Sequence, residues 1–518
     1  MPSELSPGPA PVRRLAGGSF RRLTGRPTGP DAAAAGRPDP VDEALRVFRV
    51  LTARALRVGA PLPALAVGAW AGHAAVLVPA LDARDAAAAG PDGAFPGGGD
   101  GAGSGAGSGA GSGAGSAPLW FGVRRYPDAA ADDGGVRDAA GAPLAAHWGG
   151  AARASLWLDG DGVWWLRTTD TPGVDDDPST VDAALDAAPD AAFDAALDAA
   201  LAAVAGTADA GGATGGSSPT DPGGSPADAT APTPGFPPVP TVRWRGPDRD
   251  RHTRGVTDCL EAIAAGEVYQ ACVAGFFHGR VDDGADDHAA AAAVFADTVA
   301  HHRPARAVFL AGHGTTGCAV AVTSFSPEVY LSRHGDEVVE MPIKGTLPRD
   351  RDPADLLASV KDVAENIMIV DLVRHDLGTV AVTGGVTVPD LLTVVPAPGV
   401  WHLVSTVRAT LPREVTHARL VETTFPPASV TGTPKLAARR FLREWEPESR
   451  GVFCGCAGFS AGGVLELAVA IRTCEWTGGG RVRLGVGGGI TADSTPAAEW
   501  DEVTAKSSTI TGGAVRHR

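Results

Sequence analysis

The sequence predicts one large domain that mixes helices and strands, joined to a shorter N-terminal part by low-complexity chain. Two observations predict it. From about Val242 to Thr511, helical and strand-like patterns alternate with ordinary turn signals, over the length of one large domain. Ahead of that, Gly97–Ser116 ends in tandem Gly-Ala-Gly-Ser copies, and residues 171–240 are Asp/Ala/Gly/Pro/Thr-rich. Both read as linkers, because such chain cannot bury enough apolar surface to fold.

Residues 1–40 read as a Pro/Gly/Arg leader. Its Arg-rich, acid-poor start loosely resembles a transit peptide, but a disordered basic leader is the simpler reading. Residues 41–170 read as an N-terminal subdomain interrupted by the Gly/Ala/Ser linker at 91–117. Val58–Leu81 carries no formal charge, yet it contains His73, Pro61, Pro63 and Pro79, so buried core suits it better than a membrane span. Ser155–Leu158 and Val163–Thr168 are strand-like. Residues 171–240 form a second linker, with one short helix where Phe193, Leu197 and Leu201 fall at helical spacing. Residues 241–513 are the main domain.

The 518 residues hold Lys+Arg 44 against Asp+Glu 60, a net charge of −16. That acidity argues against nucleic acid or an anionic membrane surface as the main partner. The six cysteines form no ladder and no CxxC. The chain is therefore no secreted disulfide scaffold, and a cytoplasmic location is expected. Cys454-Gly-Cys456 lacks a second pair at zinc spacing. Gly458-Phe-Ser460-Ala-Gly462 matches the nucleophile-elbow pattern. However, a hairpin follows it, with Gly462-Gly463 as the turn and Leu465–Thr473 as the second strand.

Lysine occurs only at Lys344, Lys361, Lys435 and Lys506, glutamine only at Gln270 and asparagine only at Asn366. In a chain so biased toward arginine, a retained lysine is a candidate for chemistry that needs a neutral amine. Lys344 lies in Met341-Pro-Ile-Lys-Gly-Thr346, at the end of an apolar strand. It is either a desolvated nucleophile or an exposed strand-end lysine. Glu328, in Ser326-Pro-Glu328, is a candidate general acid if burial raises its pKa.

Ser359–His375 reads as a helix with Val363, Ile367 and Val370 as its buried stripe, and with Asp362 and Glu365 sharing a face. Ser494-Thr495-Pro496 opens a second helix, on which Glu499, Glu502 and Lys506 share a face. Two such pairs of carboxylates suit one hard cation such as Mg²⁺, though two solvated acidic faces would give the same spacing. The turns Thr431–Lys435 and Gly485–Gly489 let backbone N–H groups approach a carboxylate, and Arg472 can hold one bidentately.

These segments resemble the chorismate-utilising enzymes, the family of anthranilate, aminodeoxychorismate, isochorismate and salicylate synthases. The matching residues are Glu267–Gln270, Ser326–Glu328, Pro342–Arg349, Ala364–Gly378, His402–Ser405, Phe425–Lys435, Ala470–Thr473 and Gly487–Lys506, in the family's order. The resemblance covers about half the chain. It implies an α+β fold in which two large, mainly antiparallel β-sheets pack as a sandwich with helices outside.

The resemblance also implies roles. Glu365 and Glu502 would ligate Mg²⁺ directly, with Asp362 and Glu499 supporting through water. The metal would hold the ring carboxylate of chorismate. Arg472, Lys506 and the backbone of Gly487, Gly488 and Gly489 would hold the other carboxylate. Gly345, Thr346, Ser429 and Phe453 would line the substrate site, His402 would lie near the leaving group of the lyase members, and Glu328 would be the acid that expels the C4 hydroxyl. Gln270 stands where the isochorismate and salicylate members carry a water-activating lysine, which favours amination. Lys344 stands where anthranilate synthases usually have alanine, and the PIKGT form resembles the aminodeoxychorismate synthase branch. In that branch the lysine is thought to attack C2 before ammonia adds at C4, and the product goes to a separate lyase making 4-aminobenzoate for folate. Anthranilate synthase chemistry and a catalytically idle chorismate-binding subunit are the alternatives. Phe453 replaces the usual Tyr, His375 the usual Asn and Ala428 a Gly, and Ala271–Gly275 departs from the usual run. No glutaminase signature is visible, so ammonia is expected from solution or from a separate glutamine amidotransferase subunit.

Overall fold

The computed structural model describes residues 19–23, 39–81, 83–85, 119–127, 136–137, 139–140, 146–152, 154–168, 195–203, 233–281, 285–446, 448–513 and 515–516. In chain order the N-terminal part runs β1 (Ser19–Arg22), α1 (Pro40–Val58), β2 (Ala64–Trp70), β3 (His73–Val78), β4 (Arg84–Asp85), β5 (Leu119–Arg124), β6 (His147–Ala152), β7 (Ala154–Asp159), β8 (Trp164–Thr168) and α2 (195–203). The main part continues β9 (Val242–Arg245), α3 (Arg249–Ala264), β10 (Gln270–Val281), α4 (Asp287–His302), β11 (Arg306–His313), β12 (Ala319–Ser326), β13 (Val329–His334), β14 (Glu337–Met341) and β15 (Ile343–Pro348). Then come α5 (Ala354–Ala358), α6 (Val360–Gly378), β16 (Val386–Ala397), β17 (Val400–Thr410), α7 (His417–Thr424), β18 (Gly432–Thr433) and α8 (Lys435–Trp445). The chain closes with β19 (Cys456–Ala461), β20 (Val464–Val469), β21 (Thr473–Gly478), β22 (Arg481–Ile490), α9 (Pro496–Thr511) and β23 (Val515–Arg516).

Among the described residues the strands form two sheets. The 13-stranded sheet has the order β1-β8-β7-β3-β2-β11-β12-β21-β22-β10-β9-β23, with β18 also on β10. The 10-stranded sheet has the order β15-β17-β14-β13-β20-β19-β5-β6-β4, with β16 on β17. Strand pairing is antiparallel except for β23 with β9. Both sheets draw on the N-terminal and main parts, so β2 to β8 complete the same sandwich as the strands of the main domain. Val58–Leu81 supplies β2 and β3, which are buried core strands, and no helix among the described residues is long and apolar enough to cross a membrane.

The space between the sheets is filled from both sides. Phe459 of β19 meets Trp70, Phe121 and Trp157 at ring distances of 5.9, 6.2 and 5.7 Å. A buried ion pair also crosses it, from Arg306 Nη1 on β11 to Glu466 Oε2 on β20, at 2.6 Å. The outer face of the larger sheet is covered by α1 and α4, where Phe48 lies edge-on to Phe295 and Phe309.

Two expectations change. Ser19–Arg22, read as part of a leader, pairs with β8, and Phe20 sits edge-on to Trp157 at 5.5 Å. Most of the rest of residues 1–40, and all of 91–117, lie outside the described residues. A helix does run over 195–203, with Leu197 buried, whereas Phe193 lies outside the described residues. The strand expected over Leu465–Thr473 ends at Val469, and Ala470–Arg472 carries the chain from one sheet to the other. Ser460 lies mid-strand in β19 with a buried hydroxyl, not on a nucleophile elbow.

Candidate active site

The predicted residues meet where the two sheets and two helices converge. The larger sheet brings Gln270 and Cys272 on β10, and Gly487–Gly489 on the adjacent β22. The smaller sheet brings Glu328, just ahead of β13, Lys344 on β15 and His402 on β17. Helix α6 adds Asp362 and Glu365, and α9 adds Glu499, Glu502 and Lys506.

Local chemistry fixes both helices. Ser359 caps α6 by accepting from Asp362 N, and Thr495 caps α9 with Pro496 at its first turn. The buried face of α6 is Glu365, Asn366, Ile369, Val370, Val373 and Leu377, so the expected stripe through Val363 and Ile367 is displaced, and Ile367 is exposed. The reason is polar. Asn366 donates to Leu403 O at 3.1 Å and accepts from Ser405 Oγ at 2.5 Å, which ties α6 to β17 and turns Glu365 inward.

Gly489 opens the centre. A methyl group there would lie 3.1 Å from Lys344 Nζ, 3.4 Å from Glu365 Oε2 and 3.7 Å from Gln270 Oε1. Lys344 Nζ is 3.9 Å from Glu365 Oε2, with its side chain 11% exposed. The strand-end lysine is therefore partly buried among polar groups rather than displayed. Gly345 beside it has φ +90 and lies against Asp362 and Leu403, a place and a conformation that favour glycine.

Glu328 is buried, and burial pushes its carboxyl up to about 7, against the hydrogen bond from Ser429 and the charge of Lys344. Burial also holds His402 down to about 4, helped by Arg472 and Lys506, so its ring is neutral at pH 7. Its Nδ1 is 3.0 Å from Thr346 Oγ1, and its buried Nε2 has no hydrogen-bond partner. Arg472 sits at the sheet-to-sheet corner with φ +51, a strained conformation for a non-glycine residue. Lys506 Nζ reaches Gly487 O at 3.1 Å and Glu502 Oε1 at 2.5 Å. Phe453 lies beneath β22, where a methyl on Gly485 would meet its ring at 2.3 Å, and it packs edge-on to Phe276.

Among the described residues, no cluster of three or more His, Cys, Asp or Glu is gathered into a ready metal cage. The four predicted carboxylates are nevertheless neighbours. Burial raises the pKa of Glu365, Lys344 and Lys361 lower it, and Asp362 and Glu502 raise it further. Glu502 is lowered, because Lys506, Lys361 and Lys344 outweigh its burial. Glu499 accepts from Ser494 Oγ at 2.6 Å and Lys361 Nζ at 3.3 Å. Glu365 Oε1 and Glu499 Oε2 are buried without hydrogen-bond partners. Unspent carboxylate oxygens of this kind fit a hard, oxygen-loving cation such as Mg²⁺.

The residues singled out in the sequence did not include Cys272. Its sulfur lies 3.3 Å from where a Gly487 methyl would stand, and a hydrogen bond with Cys454 lowers its thiol to about 7. Arg450 was missed too. Fully buried, it bonds Cys272 O, Val430 O and Glu446, and so fixes the start of β10. Cys272 carries no local sequence signal because its partner Cys454 is remote, and Arg450 shows only its spacing of four from Glu446, its other partners being remote.

The family model described as chorismate binding enzyme matches residues 217–512. Aminodeoxychorismate synthase component 1 of Escherichia coli (strain K12) is 44% identical over 190 residues, covering 35% of this chain and 42% of that protein. Aminodeoxychorismate synthase of Streptomyces griseus is 38% identical over 275 residues, 51% of this chain and 36% of that protein. Anthranilate synthase component 1 1 of Halobacterium salinarum is 34% identical over 290 residues, 54% of this chain and 53% of that protein. The chain thus spans about half or less of the length of these relatives. The crystal structure of anthranilate synthase component I from Streptococcus pneumoniae TIGR4 superposes with a TM-score of 0.57 at 22% identity, covering 77% of this chain and 80% of that one. That likeness shows the shared two-sheet fold.

Proposed function

Because the chain belongs to the chorismate-binding enzyme family, we propose that it aminates chorismate to 4-amino-4-deoxychorismate, using ammonia from a glutamine amidotransferase partner. The observation that carries this reading is Lys344, an amine held among buried polar groups and facing the opening at Gly489. Neither arginine nor alanine at that position could supply a nucleophile.

In this reading the Lys344 amine attacks C2 of the ring. The ring double bond shifts, and the C4 hydroxyl leaves as water with a proton from Glu328. Ammonia then adds at C4 and the lysine departs from C2, so the net change is chorismate plus ammonia to aminodeoxychorismate plus water. A carboxyl with a pKa near 7 suits the acid role, because it holds its proton near neutral pH and still releases it. Arg472, Lys506 and the Gly487–Gly489 backbone orient the substrate carboxylate. Glu365 and Glu502, with Asp362 and Glu499 behind them, would hold a Mg²⁺ ion, whose charge offsets that of the ring carboxylate. The amine product would go to a separate lyase making 4-aminobenzoate.

One observation favours a second reading. His402 is neutral and its Nε2 is buried without a hydrogen-bond partner, an arrangement suited to a lyase that releases pyruvate as anthranilate synthase does. Mass spectrometry of products from chorismate, Mg²⁺ and an ammonium salt at alkaline pH separates the two. Aminodeoxychorismate from the wild type and none from Lys344→Ala supports amination through the lysine. Anthranilate plus pyruvate overturns it in favour of the lyase.

A further inference from the structure

Three of the chain's four lysines meet the carboxylate cluster, one glutamate each. Lys344 Nζ lies 3.9 Å from Glu365 Oε2, Lys506 Nζ 2.5 Å from Glu502 Oε1, and Lys361 Nζ 3.3 Å from Glu499 Oε1. The first two have work in the proposed reaction, Lys344 as nucleophile and Lys506 at the substrate carboxylate. Lys361 has none. It stands in the first turn of α6, four residues before Glu365 and so on the same face, with its side chain 36% exposed.

The carboxylate oxygens divide the work. Glu499 Oε1 accepts from both Lys361 Nζ and Ser494 Oγ. Glu499 Oε2 is buried without a hydrogen-bond partner and turns toward Gly488, where a methyl would stand 2.6 Å from it and 3.6 Å from Glu502 Oε1. Glu365 repeats the arrangement, with Oε2 facing Lys344 and Oε1 buried without a partner. Lys361 thus leaves free the oxygen that a cation or its water would take. It acts on the cluster through its charge, which reaches Glu365 and Glu502 as well as Glu499. The four carboxylates and three ammonium groups sum to a formal −1. A divalent cation alone would turn this to +1, whereas a divalent cation together with a substrate bearing two carboxylates would restore −1. Each ammonium group therefore opposes a cation that arrives without the substrate.

We propose that Lys361 is the resident counter-cation of this cluster, a positioning residue that holds down its affinity for a divalent cation in the absence of substrate. The inference rests on the reading of Glu365, Glu502, Asp362 and Glu499 as a Mg²⁺ site.

Calorimetric titration of MgCl₂ into the full chain, stripped of divalent cations and without chorismate, tests it. Lys361→Met keeps the aliphatic stem and loses the charge. It should bind Mg²⁺ about tenfold more tightly than the wild type, the scale expected when one like charge is removed from beside a partly solvated cation. Lys361→Arg, which keeps the charge, should bind as the wild type does. Loss of a merely structural contact between α6 and α9 would weaken the site, so the direction of the change separates the two roles. Saturating Mg²⁺ should also raise the melting temperature of Lys361→Met more than that of the wild type. Lys361→Gln serves if the methionine variant does not fold. Equal or weaker binding by the neutral variant, or binding by Lys361→Arg as tight as that of Lys361→Met, overturns the inference and leaves the metal site standing. Absence of Mg²⁺ binding in wild type and variant alike removes the metal site, and the inference with it.

Discussion

Lys344 Nζ and Glu365 Oε2 lie 3.9 Å apart across the opening that Gly489 leaves between the two sheets. They come from different elements, β15 and α6. Lys344, more than Lys361, holds down a carboxyl that burial pushes up. It could thus serve the site by charge alone or by attacking the substrate, and substitution separates the two. Lys344→Arg keeps the charge and loses the nucleophile, whereas Lys344→Ala loses both. Both variants should lower the amination rate by at least about 100-fold, ~2.7 kcal/mol of barrier. Only Lys344→Ala should also disturb chorismate affinity. Amination by Lys344→Arg near the wild-type rate would reduce the lysine to an electrostatic role.

Glu328 sets the pH dependence. The acid must be protonated to expel the hydroxyl, so at constant free ammonia kcat/KM should fall as pH rises through about 7. Glu328→Gln should lower the rate roughly 10²–10⁴-fold and flatten that limb. The same group has a stability signature. Its folded pKa of about 7 lies above the ordinary glutamate value of 4.5, so the unfolded state loses this proton first as pH rises. Stability should then drop by about 3 kcal/mol between those pH values, a loss that Glu328→Gln should remove. An unchanged pH profile in the variant would assign the acid role elsewhere.

How much of this was readable in the sequence depends on how local the cause was. Ser359 and Thr495 cap their helices within three residues, and the carboxylates of α6 and α9 repeat at helical spacing, so both helices and their acidic faces were recoverable. The two-sheet sandwich and the partners of Lys344 came from ordered segments resembling a known family, since β15 and β22 meet only in three dimensions. What failed was non-local. Phe20 is a lone aromatic ring in an arginine-rich stretch, and nothing around it announces Trp157. Ala470–Arg472 has strand-like residues, and the left-handed turn at Arg472 leaves no mark in composition. The buried side of α6 was misplaced because Asn366 faces inward to bond β17, against its polarity.

Gly488 gives a test of the carboxylate cluster. A methyl there would stand 2.6 Å from Glu499 Oε2 and 3.6 Å from Glu502 Oε1, so Gly488→Ala must displace the Glu499 carboxylate. If these groups hold Mg²⁺, the variant should need roughly tenfold more Mg²⁺ for half-maximal turnover, the effect expected when one supporting partner of a metal is lost. Direct titration of Mg²⁺ by calorimetry checks this without turnover. Equal affinity in the two proteins would remove Glu499 from the metal site.

Glu466 makes the opposite prediction to Glu328. It too is fully buried, but Arg306 Nη1 at 2.6 Å, His334 Nε2 at 2.8 Å and Ser332 Oγ at 2.8 Å surround it. Burial pushes its pKa up, and Arg306 and His334 overcome that and bring it to about 2. The unfolded state therefore takes up this proton first as pH falls below about 4.5. The carboxylate contributes about 3 kcal/mol at neutral pH, lost between pH 4.5 and 2. Because Arg306 belongs to one sheet and Glu466 to the other, this loss loosens the sandwich itself. Glu466→Gln should cost about 3–5 kcal/mol at pH 7, since it leaves Arg306 buried without its counter-charge. Thermal melts of both proteins from pH 7 to pH 3 measure it. The wild type should lose stability steeply below pH 4.5 and the variant less so, and parallel curves would show that the acid sensitivity resides in other carboxylates.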